Sequence, residues 1–88
     1  STEGKALLGE INAAQQIYYT RHGQYYAGSV GQTFGGAFGV DARRNKYFTS
    51  YNLSTNAQTF TASTSSKDGT QSLTLVGSFT TDPKLIER

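Results

Sequence analysis

The chain has 88 residues and a formal net charge of +2, from eight basic and six acidic side chains. This length fits one domain, and the charge is too small to indicate a nucleic-acid-binding protein by itself. The absence of cysteine excludes disulfides, thiolate chemistry and cysteine-based metal sites. The sequence also contains no apolar run of the roughly 20 residues that a membrane-spanning helix needs.

Apolar residues recur at helical spacing over positions 3–22. At about 100° per residue, Leu7, Ile11, Ala14 and Tyr18 form a narrow stripe, with Leu8 beside it and Lys5, Asn12, Gln16 and Thr20 on the far side. This pattern predicts an amphipathic helix with one buried face. We expect the contacts between helix and sheet to be made by Leu7, Leu8, Ile11, Ala14 and Tyr18.

The two ends of this helix differ. Arg21 and His22 occupy the predicted last turn, where positive charge suits the helix dipole, and Gly23 suits a left-handed cap. We therefore expect His22, the only histidine, to have a role at the helix end rather than as a ligand or base. The start carries Gly4 and Gly9, each costing about 1 kcal/mol relative to alanine, and no capping box. This start suggests that the helix needs a packing partner or a preceding segment.

Residues 23–45 show neither helical nor strand periodicity. Glycines interrupt the segment at positions 28, 31, 35, 36 and 39, with aromatic residues between them. The pattern predicts a long glycine-rich loop, which must be held by its own side chains if it is ordered. We expect Phe34 and Phe38 to anchor it in the core.

Strand patterns dominate from residue 46 onward. Alternation predicts strands at 46–53, 59–65 and 72–79, with turn-forming residues at Ser54, Thr55 and Asn56 and a hairpin turn at Asp68-Gly69. The tail, 80–88, is expected either to dock as an edge segment or to remain loose. The predicted fold class is α+β: an N-terminal helix packed on a three- to four-stranded antiparallel meander. The expected core of the sheet comprises Tyr47, Tyr51, Phe60, Leu73 and Leu75, and Phe79 is placed on the same side of the last strand as Leu73 and Leu75.

No catalytic constellation is evident. A nucleophile, a base and a residue that orients the base are not brought together by any spacing in the sequence. A single Asp in a predicted turn does not make a cation site, and 35–39 does not form a phosphate-binding motif. We therefore expect a protein that is not an enzyme, with no cofactor, metal or small-molecule substrate.

Arg43, Arg44 and Lys46 form the one basic cluster, next to Tyr47. Two interpretations of this cluster remain open from the residues alone. The cluster is a solvated rim, or a patch that binds nucleic-acid phosphates and bases.

The segment 9–27 resembles type IV pilins and pseudopilins. In that family an alanine-rich helix ends in tyrosine and is followed by a short polar turn with glycine and a further aromatic residue. The matching residues here are Ala13, Ala14, Tyr18, Tyr19, Gly23, Tyr25 and Tyr26. The later segments 46–53 and 59–65 are similar to the first strands of small bacterial pilins. The resemblance therefore covers most of the chain in layout, although its distinctive part is short.

The resemblance implies a structural subunit of a pilus-like filament. Its partners would be copies of itself or other pilins, and its membrane anchor would be a hydrophobic helix segment preceding this chain. The implied location is an extracellular pilus, supplied from a precursor pool anchored in the inner membrane. The implied subunit contacts are Phe34, Phe38, Arg43, Arg44 and Lys46.

Two departures from the family limit the choice within it. Without cysteine there is no C-terminal disulfide, and without tryptophan there is no Pro-Trp-Gly motif of the major type II secretion pseudopilin. A minor pilin, a minor pseudopilin, or a small α+β module that binds DNA or another ligand remain as alternatives.

Overall fold

A computed structural model, which describes residues 2–28, 31–36, 38–56, 58–78 and 84–87, has the predicted α+β arrangement. Within these residues, helix α1 (Thr2–His22) is followed by strands β1 (Asn52–Thr55), β2 (Thr59–Ser65), β3 (Ser72–Ser78) and β4 (Lys84–Glu87). The strands form one antiparallel sheet in the order β1-β2-β3-β4. Helix α1 packs against the two central strands, β2 and β3.

The alternation predicted for the two central strands is present. Phe60, Ala62 and Thr64 are buried on β2, and Leu73 and Leu75 are buried on β3, with partly exposed residues between them. Phe79, assigned to the same face, lies outside the described residues. The sheet therefore presents one apolar face to the helix and one polar face to water.

The turn between β2 and β3 forms at Asp68-Gly69, as predicted. Gly69 has φ +75°, the left-handed conformation that glycine adopts at no steric cost. The Oδ1 atom of Asp68 accepts hydrogen bonds from the Ser66 hydroxyl and from both the backbone N–H and the hydroxyl of Thr70. These bonds, the one from Ser66 first, hold the pKa of Asp68 at about 2.

The C-terminal tail contributes an edge strand. Strand β4 pairs with β3 from Val76↔Lys84 to Leu73↔Glu87, so the docked alternative for the tail is the observed one. The rest of segment 80–88, at 80–83 and 88, lies outside the described residues.

The prediction of a strand over 46–53 is wrong for its first six residues. Strand β1 begins only at Asn52 and continues through Ser54 and Thr55, which were expected in the turn. The turn begins at Asn56, whose Oδ1 accepts the N–H groups of Gln58 and Thr59. Ladder pairing does not extend back to residue 46 because the N–H groups of 46, 47 and 48 are bonded to the Glu3 carboxylate instead.

Because residues 46–51 do not form the predicted strand, the aromatic residue that is buried differs from the predicted one. Tyr47, expected in the core, is 54% exposed, and its neighbour Phe48 is only 1% exposed. Tyr51 is fully buried as predicted. Strand alternation counted back from Tyr51 therefore predicts that residue 47 is buried, whereas residue 48 is buried instead. At this point the backbone N–H groups are bonded to Glu3 and not to a neighbouring strand.

The buried face of α1 is turned relative to the predicted stripe. Its buried residues are Gly4, Leu7, Leu8, Ile11 and Gln15. At about 100° per residue, the centre of this set is rotated by roughly 50° from the stripe of Leu7, Ile11, Ala14 and Tyr18. Ala14 and Tyr18 are only partly buried and lie at the margin of the core.

Gly4 sits where the helix comes closest to the core. A Cβ atom at this position would lie 2.9 Å from Leu73 Cδ1 and 3.2 Å from the ring of Phe48. Gly9, in contrast, is exposed, and a Cβ there would meet no atom within 4 Å. The two helix glycines therefore have different environments. Gly4 permits close packing of the helix on the core, whereas a side chain at Gly9 would extend into open space.

The segment between α1 and β1 fills the rest of the core. In its described part it contains two isolated bridges, Gln32↔Tyr51 and Phe34↔Asp41, and no helix or strand. Its buried hydrophobic residues are Tyr25, Phe38, Val40, Ala42, Phe48 and Tyr51.

The fully buried side chain of Gln15 ties this segment to the helix. Its Nε2 donates to the Tyr26 carbonyl and its Oε1 accepts the Tyr26 N–H, both at 2.8 Å. The amide therefore satisfies both backbone groups of Tyr26, as a neighbouring strand would.

The two helix glycines make a matched test of the packing. Gly4→Ala and Gly9→Ala gain the same intrinsic helix propensity, about 1 kcal/mol, but only the first must displace Leu73 and Phe48. We expect Gly9→Ala to raise the free energy of unfolding, and Gly4→Ala to be about 1–3 kcal/mol less stable than Gly9→Ala. Urea denaturation of the two variants measures the difference, and equal stabilities would contradict the packing described here.

Removal of the Gln15 amide should destabilise the fold. In Gln15→Leu both backbone groups of Tyr26 lose their partner, so we expect a loss of about 2–4 kcal/mol in the free energy of unfolding. Gln16→Leu is the control, because the neighbouring amide makes only long hydrogen bonds of 3.4 and 3.5 Å. A comparable loss in the two variants, measured by chemical denaturation, would show that the Gln15–Tyr26 pair has no special role.

Candidate functional site

Residues 32–36 and 38–42 belong to a loop that is held by hydrogen bonds and carries two of the five predicted contact residues, Phe34 and Phe38. The Gly35 N–H donates to the Val40 carbonyl, and the Ala42 N–H donates to the Thr33 carbonyl. The hydroxyl of buried Tyr51, the residue directly before β1, donates to the Val40 carbonyl at 2.7 Å. These bonds close the loop on itself and attach it to the core.

The two phenylalanines of this loop lie in different environments, one buried and one exposed. Phe38 is buried, as predicted for the core, and its ring stacks on that of Tyr26 at 4.7 Å and 7°. Phe34 is 45% exposed, so its predicted place in the core is wrong. The Phe34↔Asp41 bridge turns this residue away from the core, and its ring packs against Arg43 instead.

Phe34, Asp41 and Arg43 make one unit, which we call the Phe34–Arg43 unit. The Arg43 guanidinium lies 4.3 Å from the centroid of the Phe34 ring. Its Nε and Nη2 donate to the two Asp41 oxygens at 2.9 and 2.8 Å, and the Arg43 N–H donates to Oδ1 at 2.9 Å. These bonds hold the pKa of Asp41 at about 2 and raise the pKa of Arg43. The unit is therefore a fixed, charge-balanced surface that combines an aromatic ring with a planar guanidinium.

The predicted basic cluster is divided between two places. Arg43 is neutralised by Asp41, and Arg44 is exposed. Lys46 is also exposed, and its Nζ lies 5.4 Å from the centroid of the Tyr47 ring. Of the five predicted contact residues, the structure brings Phe34 and Arg43 together, turns Phe38 inward, and groups Lys46 with Tyr47.

Glu3 forms a clamp that the sequence did not predict. Its Oε1 accepts the N–H groups of Tyr47 and Phe48, each at 2.7 Å, and its Oε2 accepts that of Lys46 at 2.9 Å. Hydrogen bonds from Phe48 first and Lys46 second lower the pKa of Glu3 below its ordinary value. An acidic residue in the first turn of a helix was the only sequence signal, and it does not identify partners more than forty positions away.

Aromatic rings gather at the C-terminal end of α1. The ring of Tyr18 lies 4.2 Å from that of His22 and 5.4 Å from that of Tyr26. Gly23 adopts φ +72°, and its N–H donates to the Tyr19 carbonyl at 2.8 Å, which is the predicted left-handed cap. His22 thus lies in the last turn, with its ring packed on Tyr18. Ile17, 56% exposed, lies on the rim of a nearby cavity of about 200 Å³.

The described residues offer little chemistry of other kinds. Among them, no three His, Asp or Glu side chains are grouped so that they could hold a metal ion. The one side-chain atom recorded as buried without a hydrogen-bond partner in the described part is the Tyr25 hydroxyl, and burial raises the pKa of this phenol. The same part of the chain contains no helix long and apolar enough to cross a membrane.

Comparison with protein-family models, with curated proteins and with solved structures finds no match to this chain.

The Glu3 clamp should be visible in an acid titration. Because the pKa of Glu3 is lowered in the folded state, the clamp contributes stability above the ordinary value of 4.5 and loses it as the pH falls through the lower, folded value. We expect the amide proton shifts of Lys46, Tyr47 and Phe48 to titrate together with a midpoint below 4.5, as measured by NMR. Glu3→Gln should abolish this shared titration and speed exchange of the three amides by roughly tenfold. A midpoint at or above 4.5, or an unchanged profile in Glu3→Gln, would contradict the clamp.

Proposed function

We propose that the chain is a structural subunit of a type IV pilus-like filament. The role is non-enzymatic, and assembly occurs through non-covalent contacts with copies of itself or with other pilins. The proposal is supported by agreement between two independent features. The sequence of 9–27 resembles the pilin helix and its following turn, and the observed helix on an antiparallel meander is the layout that this resemblance implies.

The exposed Phe34–Arg43 unit is the observation that carries the proposal. The loop buries Phe38 but leaves the Phe34 ring 45% exposed. Phe34 forms a bridge with Asp41, and the Arg43 guanidinium lies over its ring. Aromatic residues and arginine are the residue types enriched at the centres of protein interfaces. The rigid hydrogen bonds of Asp41 also reduce the entropy that these side chains would lose on binding.

This surface suits a subunit that polymerises. A contact between the unit and a different surface of the next copy is heterologous, and such contacts build helical filaments when the rotation does not close. In this proposal the subunit lies in an extracellular pilus. Its precursor pool is held in the inner membrane by a hydrophobic helix preceding these 88 residues, as the resemblance implies.

Filament fractionation tests the proposal in cells of the source organism. Surface appendages are sheared and pelleted, and the protein is quantified by mass spectrometry in the pellet and in the cell-bound membrane fraction. We expect it in the filament pellet, as the dominant protein if it is the main subunit or as a trace if it is a minor one. Its absence from both the filament and the membrane fractions would contradict the proposal.

A matched pair of variants tests the surface that carries it. Phe34→Ala removes an exposed ring from the unit, and Ile17→Ala removes a similarly exposed apolar side chain elsewhere. Since truncation of a central interface residue costs about 2 kcal/mol or more, we expect at least about tenfold less Phe34→Ala protein in the pellet at equal cellular levels. Equal incorporation of the two variants would show that the Phe34–Arg43 unit is not a subunit contact.

A further inference from the structure

A second surface feature lies away from the Phe34–Arg43 unit. A cavity of about 460 Å³ opens between the first turn of α1, residues 46–48 and the β2–β3 turn. Its volume is in the range of small-molecule sites. Each of these three elements contributes to the wall: Glu3 from the first turn of α1, Tyr47 from residues 46–48 and Asp68 from the β2–β3 turn.

Hydrogen bonds fix the three walls relative to one another. The Glu3 carboxylate holds the backbone of residues 46–48, and the Lys67 N–H donates to the Tyr47 carbonyl at 2.9 Å. The third wall is the turn built around Asp68. The cavity is therefore preorganised, because the bonds that shape it are made within the folded chain.

The wall formed by the β2–β3 turn offers hydrogen-bond acceptors to the cavity. The hydroxyls of Ser66 and Thr70 both donate to Asp68 Oδ1 at 2.7 Å, so their hydrogens are used. The Ser66 oxygen also accepts the Gln71 N–H at 3.1 Å, and the Thr70 hydroxyl oxygen remains as an acceptor. Three donors converge on Oδ1, which leaves Asp68 Oδ2 as the second acceptor of an ionised carboxylate. Glu3 adds a second fixed negative charge. A ligand that suits this inventory brings several N–H donors and positive charge.

Tyr47 supplies a surface on which a cation can stack. Its ring is 54% exposed, and the Lys46 ammonium, which also lines the cavity, already lies 5.4 Å from the ring centroid. This distance lies within the range of cation–π contacts, so a cation can reach the face of the ring. Because Lys46 is an exposed, flexible side chain, it can move aside for another cation.

We propose that this cavity binds a guanidinium group, stacked on Tyr47 and donating to Asp68. A guanidinium presents five N–H donors in a plane, stacks on aromatic rings and is more weakly hydrated than an ammonium. It therefore fits an acceptor-rich, half-open cavity better than a second lysine does. This assignment does not depend on the filament proposal, since it concerns the isolated chain and a different surface.

An NMR titration of the 88-residue chain with N-acetyl-arginine amide tests the assignment. We expect saturable shifts of the backbone amides of Tyr47, Asp68 and Thr70. N-acetyl-citrulline amide, which has the same shape without the charge, should give none. Asp68→Asn retains an Oδ1 acceptor for the turn but removes the charge, so we expect about fivefold weaker binding. Glu10→Gln, which removes an exposed charge from α1 outside the cavity lining, should bind as the unchanged chain does.

Two further variants keep the test independent of the turn. Tyr47→Leu should weaken binding about two- to fivefold through loss of the stacking surface, and Lys46→Met should strengthen it by removing the internal competitor. Equal responses to the arginine and citrulline compounds would overturn the assignment, as would equal affinities of Asp68→Asn and Glu10→Gln.

The source of the guanidinium is found from a dilution series without added ligand. If the same amide signals shift with protein concentration, and do not in Arg44→Gln, the group comes from a second copy of this chain. If dilution has no effect and the added arginine compound binds, it comes from another molecule. Absence of both responses overturns the proposal.

Discussion

The fold depends on one constraint: the segment between α1 and β1 supplies much of the core without forming a regular ladder. A helix that covers the central strands leaves part of the apolar sheet face open, and residues from Tyr25 to Tyr51 close it. Backbone groups drawn into the core by these residues must still be hydrogen-bonded. Side chains of the regular elements take this role. The Gln15 amide pairs with Tyr26, the Glu3 carboxylate accepts three N–H groups, and the Thr64 hydroxyl donates to the Ser50 carbonyl.

The same constraint determines what the surface presents. Because the loop at 32–42 is fixed by Tyr51 and by its own bridge, one aromatic residue is buried against Tyr26 and the other stays outside under Arg43. Because Glu3 holds 46–48, Phe48 enters the core and Tyr47 remains at the surface. Both surfaces to which we assign a partner are therefore consequences of how the irregular segment is anchored. The proposed filament contact and the proposed guanidinium site each use an aromatic ring that lies outside the core.

The sequence predicted the elements whose signals are local. Helix α1, strands β2 and β3, the Gly23 cap and the Asp68-Gly69 turn all follow from periodicity or turn chemistry within a few residues. The failures have non-local causes. Alternation over 46–53 is a real pattern in the sequence, but Glu3 removes the N–H groups that a strand would use. The predicted helix stripe lies too far from Gln15 because a glutamine is not expected in a core. Helical periodicity also gives no information about the hydrogen-bond partner of Gln15, which is Tyr26. Phe34 and Phe38 are each followed directly by a glycine, so the local pattern does not distinguish them. The bridge to Asp41 and the ring contact with Arg43 involve Phe34 alone.

Native-state amide hydrogen exchange tests the central claim most directly. If side chains hold the irregular segment as strands hold one another, the amides of Tyr26, Tyr47 and Phe48 should be protected to within about tenfold of those of Phe60 and Ala62 in β2. The Tyr26 amide donates to Gln15, and the amides of Tyr47 and Phe48 donate to Glu3. Exchange of the three at the rate of an unstructured peptide, with the β2 amides still protected, would contradict the account and show that the segment is not anchored in this way.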